Sequence, residues 1–127
     1  MGVAKSVVNE QADILATHKE KRPWGSFELF IENTSATVKI LKIRPQKKLS
    51  LQYHMLRDEF WKVIDGECFV VIGGGQMFAK KGDEFFIRRG VEHRIETGKF
   101  PVEILEISLG EFNEDDIVRV EDEYGRV

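Results

Sequence analysis

With 127 residues the chain is long enough for one domain with a real core and too short for a catalytic domain plus a separate nucleotide-binding domain. Hydrophobic residues make up 42% and charged residues 32%, and the net charge of -3 leaves no basic footprint, which argues against nucleic acid as a partner. The longest apolar stretch, Cys68-Phe69-Val70-Val71-Ile72, is far short of the roughly 20 residues of a membrane helix. The N-terminus also lacks a signal-type apolar core, so no membrane partner and a cytoplasmic location are expected.

In chain order, residues 3 to 20 hold the one predicted helix, or equally a partly ordered arm. Val7, Val8, Ala12, Ile14 and Leu15 are spaced for it, and Pro23 closes it. This divides the chain into an arm over residues 1–21 and a domain over residues 22–127. From Trp24 the pattern changes to short β-rich runs: Ser26 to Glu32, Ala36 to Arg44, Ser50 to His54, Glu59 to Ile64, Cys68 to Ile72, Gln76 to Lys80, Glu84 to Ile87, His93 to Thr97 and Val102 to Leu109. Asp65-Gly66-Glu67, Gly73-Gly74-Gly75, Lys81-Gly82-Asp83 and Thr97-Gly98-Lys99 read as turns between them. The acidic tail alternates enough for a final strand between residues 113 and 122. Such spacing predicts an all-β antiparallel sandwich or barrel. Cys68, alone and inside an apolar run, reads as a small buried hydrophobe.

Chemistry concentrates in Gln52-Tyr53-His54, Glu59 and His93. Strand alternation puts Gln52 and His54 on one face. Two imidazoles, a carboxylate and an amide oxygen make a mixed nitrogen and oxygen set suited to a divalent transition metal with a position open for substrate. Glu59 has a competing reading as a buried ion-pair partner of Arg57 or Lys62. Trp24, Trp61, Phe60 and Phe69 read as core or rim packing, with sugar stacking the alternative.

His54, four residues, Glu59, six residues, Gly66, then Gly82, five residues, Arg88-Arg89-Gly90, two residues, His93: this double pattern resembles the two signature motifs of the cupin superfamily. Gln52 stands in place of the usual first histidine and Arg88 in place of the usual proline. Arg22-Pro23-Trp24-Gly25-Ser26-Phe27-Glu28, Leu49-Ser50-Leu51-Gln52, Arg57-Asp58-Glu59-Phe60-Trp61, Glu114-Asp115-Asp116-Ile117-Val118-Arg119 and Tyr124-Gly125-Arg126 narrow the resemblance. They are similar to the C-terminal cupin domain of type II mannose-6-phosphate isomerases, which are bifunctional with mannose-1-phosphate guanylyltransferase. The implied fold is a cupin-type antiparallel β-jelly-roll barrel. The guanylyltransferase part is absent from these residues, so nucleotide-sugar synthesis is not expected of them.

The implied activity is metal-dependent interconversion of mannose 6-phosphate and fructose 6-phosphate through an enediol, with a sugar phosphate as the partner molecule. Gln52, His54, Glu59 and His93 are the implied metal ligands. Zinc is the first expectation, because type I phosphomannose isomerases bind it through a comparable set; manganese, cobalt, nickel and iron also suit such donors. Arg57 and Arg126, both at family motif positions, are the arginines expected to hold the phosphate. Departures fall at Met55 and Leu56, where the family has further histidines, and at Ile40, where it has an arginine; Lys39, Lys42, Arg94 and Arg119 are other available cations. These departures point to an alternative, a carbohydrate or sugar-phosphate-binding cupin without turnover; a cupin oxygenase is a third possibility. A homodimer is expected, with the arm and the Ser26 to Glu32 strand pairing across a two-fold axis.

Overall fold

The computed structural model describes the backbone of residues 4–6 and all of residues 18–127. Its strands, in chain order, are β1 (Ala4–Ser6), β2 (His18–Arg22), β3 (Gly25–Leu29), β4 (Ala36–Ile43), β5 (Leu51–Tyr53), β6 (Arg57–Ile72), β7 (Gly75–Lys80), β8 (Glu84–Ile87), β9 (His93–Glu96), β10 (Val102–Gly110) and β11 (Val118–Glu121). No helix occurs among the described residues. Of the two readings of residues 3 to 20, helix or arm, the helix is corrected at both ends, where strands stand instead, and residues 7–17 lie outside the described residues. Ala4–Ser6 runs parallel to Glu84–Phe86, and His18–Arg22 forms an antiparallel hairpin with Gly25–Leu29. Pro23 is the reason for the second: its fixed φ and missing N–H suit the tight turn with Trp24 and leave the charged run before it extended.

β6 organises everything else. Its first half pairs with β10 and β8, its second half with β7 and β9, so one 16-residue strand serves both faces of the barrel. On one face β4 adds to β10 and β1 to β8; on the other β5 adds to β9 and β11 to β5. The turn expected at Asp65-Gly66-Glu67 is instead a corner inside β6. Val63 faces Ile104 while Asp65 faces Glu103, leaving Ile64 as the extra residue of a bulge. Gly66 adopts φ +83°, and a Cβ there would sit 2.2 Å from the Pro101 carbonyl oxygen, so the strand bends where only glycine fits.

Alternation along β6 gives two apolar clusters. Trp61, Val63, Cys68, Val70 and Ile72 point between the faces with Phe85, Ile95 and Ile104. Phe60 points the other way, onto Phe86, Ile107 and Leu109, under cover from Phe30 and Ile31. Fully burying each such aromatic stabilises the fold by about 2–3 kcal/mol. Cys68 is buried, and burial pushes its thiol up to about 12, consistent with an inert core residue.

Candidate metal centre

Three short elements deliver the site. β5 ends one residue before His54, β6 carries Glu59 on its first half, and β9 begins with His93. Gln52 lies directly across from His93, and Arg119 of β11 lies directly across from Gln52. Paired residues in antiparallel strands share a face, so Arg119, Gln52 and His93 form a row across three strands. His54, Glu59 and His93 are each at most 3% exposed, and one ligand atom from each falls within 4.8 Å of the others.

The ring nitrogens are set by backbone oxygens. His54 Nδ1 lies 2.7 Å from the carbonyl of Asp116, and His93 Nδ1 lies 3.0 Å from that of Val91. A carbonyl only accepts, so both Nδ1 atoms carry the proton and both Nε2 atoms present a lone pair to the site; that of His93 has no partner, and that of His54 has the Arg57 guanidinium 3.3 Å away. Burial lowers the basicity of both imidazoles, His93 down to about 4, which keeps them neutral as ligation requires. His93 Nε2 stands 3.6 Å from Glu59 Oε1, and neither atom has a hydrogen-bond partner. Two buried acceptors facing each other need a shared electrophile. The residues present therefore fit a cation: the orphaned pair supplies two donors, His54 Nε2, 3.4 Å from Glu59 Oε2, a third, and Gln52 an amide oxygen in the row beside them. That oxygen already accepts a 2.6 Å bond from Ser50 Oγ, which orients it.

Arg57 is buried against this cluster. Its Nε donates to Glu59 Oε2 at 3.2 Å, one terminal nitrogen lies 3.3 Å from His54 Nε2, the other donates to the Asn113 carbonyl, and the guanidinium stacks 4.6 Å from the Phe112 ring centroid. It is committed to holding ligands, so the phosphate contact expected of it has no free donor face. Arg126 is half-exposed in the tail, and among the described residues its contacts are with Asp122 and Tyr124 only. The structure does not bring it together with the cluster. At the departures from the family pattern, Met55, Leu56 and Ile40 are 55%, 43% and 52% exposed, and Lys39, beside Ile40, is the residue aligned with Glu106.

Two residues were missed by sequence reasoning. Asp116 presents its backbone oxygen to His54, while its carboxylate accepts N–H bonds from Met55 and Leu56, both at 2.9 Å. Desolvation opposes charge on that carboxyl, yet the two amides hold it below its usual range. Glu106 of β10 is 8% exposed, accepts the indole N–H of Trp61 at 3.3 Å, and lines a cavity with Gln52, Trp61 and His93. Burial, then the neighbouring Glu59 charge, push its carboxyl up to about 7; burial likewise raises Glu59, against the pull of Arg57. The signal for Glu106 was available: it falls in phase with Val102 and Ile104, which places a carboxylate on the inward face of an apolar strand.

The family described as mannose-6-phosphate isomerase C-terminal matches residues 9–122. The chain belongs to this family. Relatives of this cupin domain include a mannose-1-phosphate guanylyltransferase of Klebsiella pneumoniae, 32% identical over 93% of this chain and 26% of that protein. Another is the xanthan biosynthesis protein XanB of Xanthomonas campestris, 38% identical over 85% of this chain and 24% of that protein. The chain thus spans about a quarter of the length of these curated relatives. Among solved structures, a cupin protein of Bacteroides fragilis shares the fold with a TM-score of 0.57 at 20% identity, over 65% of this chain and 75% of that one. The architecture is the cupin-type β-jelly roll. No helix among the described residues is long and apolar enough to cross a membrane.

Proposed function

We propose that this cupin domain isomerises a phosphorylated sugar, interconverting mannose 6-phosphate and fructose 6-phosphate with the help of a divalent cation. The observation that carries the reading is the pair of buried, unpartnered lone pairs on Glu59 and His93, facing each other beside the Nε2 of His54. Gln52, His54, Glu59 and His93 would hold the cation, zinc first among the metals such donors take. When bound, it supplies a Lewis acid for the oxygens that become negative in the enediol. Arg57 aims Glu59 and pulls its carboxyl toward the charged form, against the larger effect of burial. Glu106 is the carboxylate placed to carry the proton between adjacent carbons: it lines the same cavity as Gln52 and His93 and is oriented by Trp61. Family membership supports the substrate class.

The test is a coupled assay with mannose 6-phosphate on metal-stripped protein refilled with zinc, manganese, cobalt, nickel or ferrous ion. Turnover with one of these is the expected result, and Glu106→Gln should lower kcat by about 10²–10⁴-fold while leaving metal content unchanged. A second reading, sugar-phosphate binding without turnover, is favoured by the contact between Arg57 and His54 Nε2, because a guanidinium there already serves one of the ligand lone pairs. Binding with no turnover under any metal would select it, and oxygen uptake would select an oxygenase. The reading includes a homodimer: β2 and β3 form their own two-stranded sheet, and β3 has no second partner among the described strands. A monomer mass in sedimentation at micromolar concentration would exclude it.

A further inference from the structure

Arg119 is the inward-facing residue of β11, and its neighbours Val118, Val120 and Glu121 are exposed. Its Nε is buried and has no hydrogen-bond partner. Among the described residues it is the one partly buried arginine with no ion pair. Arg57 is paired with Glu59, Arg94 with Glu121 and Arg88 with Asp58, whereas Arg119 faces no carboxylate within reach. A guanidinium cannot shed its charge, so burying one of its N–H groups without an acceptor is costly and persists only where something else repays the loss.

Position supplies that something. Arg119 is two strands from His93, with Gln52 between them, all on one face. At about 4.8 Å per strand, the backbone of Arg119 stands roughly 10 Å along the barrel wall from that of His93. That separation is the length of a small phosphorylated sugar, whose carbonyl and phosphate lie at opposite ends of the carbon chain. A register shift follows immediately, between Arg119 and Glu121, so the ladder is broken at the position where an extra group would enter.

We infer that Arg119 is the anion anchor of this site, taking the phosphate of a phosphorylated sugar in the fork of its guanidinium while the carbonyl end lies at His54, Glu59 and His93. This rests on the isomerase reading for its substrate and on the structure alone for the anion. It also transfers the phosphate role from Arg57 and Arg126, whose donors are committed elsewhere, to a residue with free ones.

Calorimetric titration with glucitol 6-phosphate, which has the phosphate but no carbonyl, and with inorganic phosphate tests it without turnover. The wild-type chain should bind both, and Arg119→Gln should weaken both by about 10–100-fold. Arg119→Lys should recover part of the loss, because it keeps the charge without the fork. In the isomerase assay Arg119→Gln should raise KM for mannose 6-phosphate far more than it lowers kcat. Unchanged affinity and KM in a folded Arg119→Gln overturns the anchor and leaves the isomerase standing. Phosphate binding that depends on Arg119, with no turnover under any metal, keeps the anchor and removes the isomerase. Should Arg119→Gln not fold, the wild-type titration decides, because failure to bind either anion overturns the proposal by itself.

Discussion

His54 is held from a segment 62 residues away: the carbonyl of Asp116 fixes its tautomer, and the Asp116 carboxylate clamps the turn that follows it. This is the outer support that aims a ligand, and removing it leaves the ligand present but badly oriented. Asp116→Ala should therefore lower metal affinity by about 10–100-fold, measured by competition with a chromophoric chelator, with little change in fold. Unaltered affinity would mean that backbone geometry alone positions His54. His54, Glu59 and His93 were legible in the sequence because cupin spacing is a local pattern. Asp116 was not, although its segment was noticed, because its role depends on β11 returning beside β5, a contact that no nearby residues announce. Arg57 was legible as important and misjudged in role: its commitment to Glu59, His54 and Asn113 is a property of packing, not of spacing.

At the level of elements, strand alternation made most of the barrel legible, and the strand Glu84–Ile87 has the limits expected from its residues. The failure at Asp65-Gly66-Glu67 has a physical cause. A glycine with positive φ after an aspartate serves a turn or a bulge equally well, and the choice belongs to whichever strand runs alongside. Here β10 does, and it carries β6 across the corner so that Glu59 sits on one face and Val70 to Ile72 pair with β9 on the other. Gly66→Ala would force a Cβ against the Pro101 carbonyl as well as into a left-handed backbone conformation. The strain alone costs about 1–3 kcal/mol, so the melting temperature should fall by roughly 10 °C in calorimetry. A fall of a degree or less would show that β10 can shift away, and the corner would not then be fixed by this glycine.

Glu59 stands on the half of β6 that pairs with β10 and β8, His93 on β9 of the opposite face, so a cation shared by them joins the two faces of the molecule. Without it, the buried titrating groups pull stability in opposite directions. Burial holds His93 down to about 4, so the stability it contributes is complete above its unfolded value of 6.5 and is lost as pH falls toward 4, about 3 kcal/mol in all. Burial and the Glu59 charge hold Glu106 up to about 7, so its contribution is complete below 4.5 and is lost as pH rises to 7, about 3 kcal/mol again. His54, lowered, and Glu59, raised, oppose each other with the same signs. The metal-free melting temperature should therefore be nearly level between about pH 4.5 and 6.5 and decline just above it. A divalent cation reverses the second trend, because it requires Glu59 ionised and both imidazoles neutral, and its binding releases protons. The gap in melting temperature between metal-loaded and chelated protein should widen steadily from about pH 5 to pH 8 in scanning calorimetry. A gap that stays constant over that range would place the cation on groups other than these, and the two faces would then owe their docking to the apolar core alone.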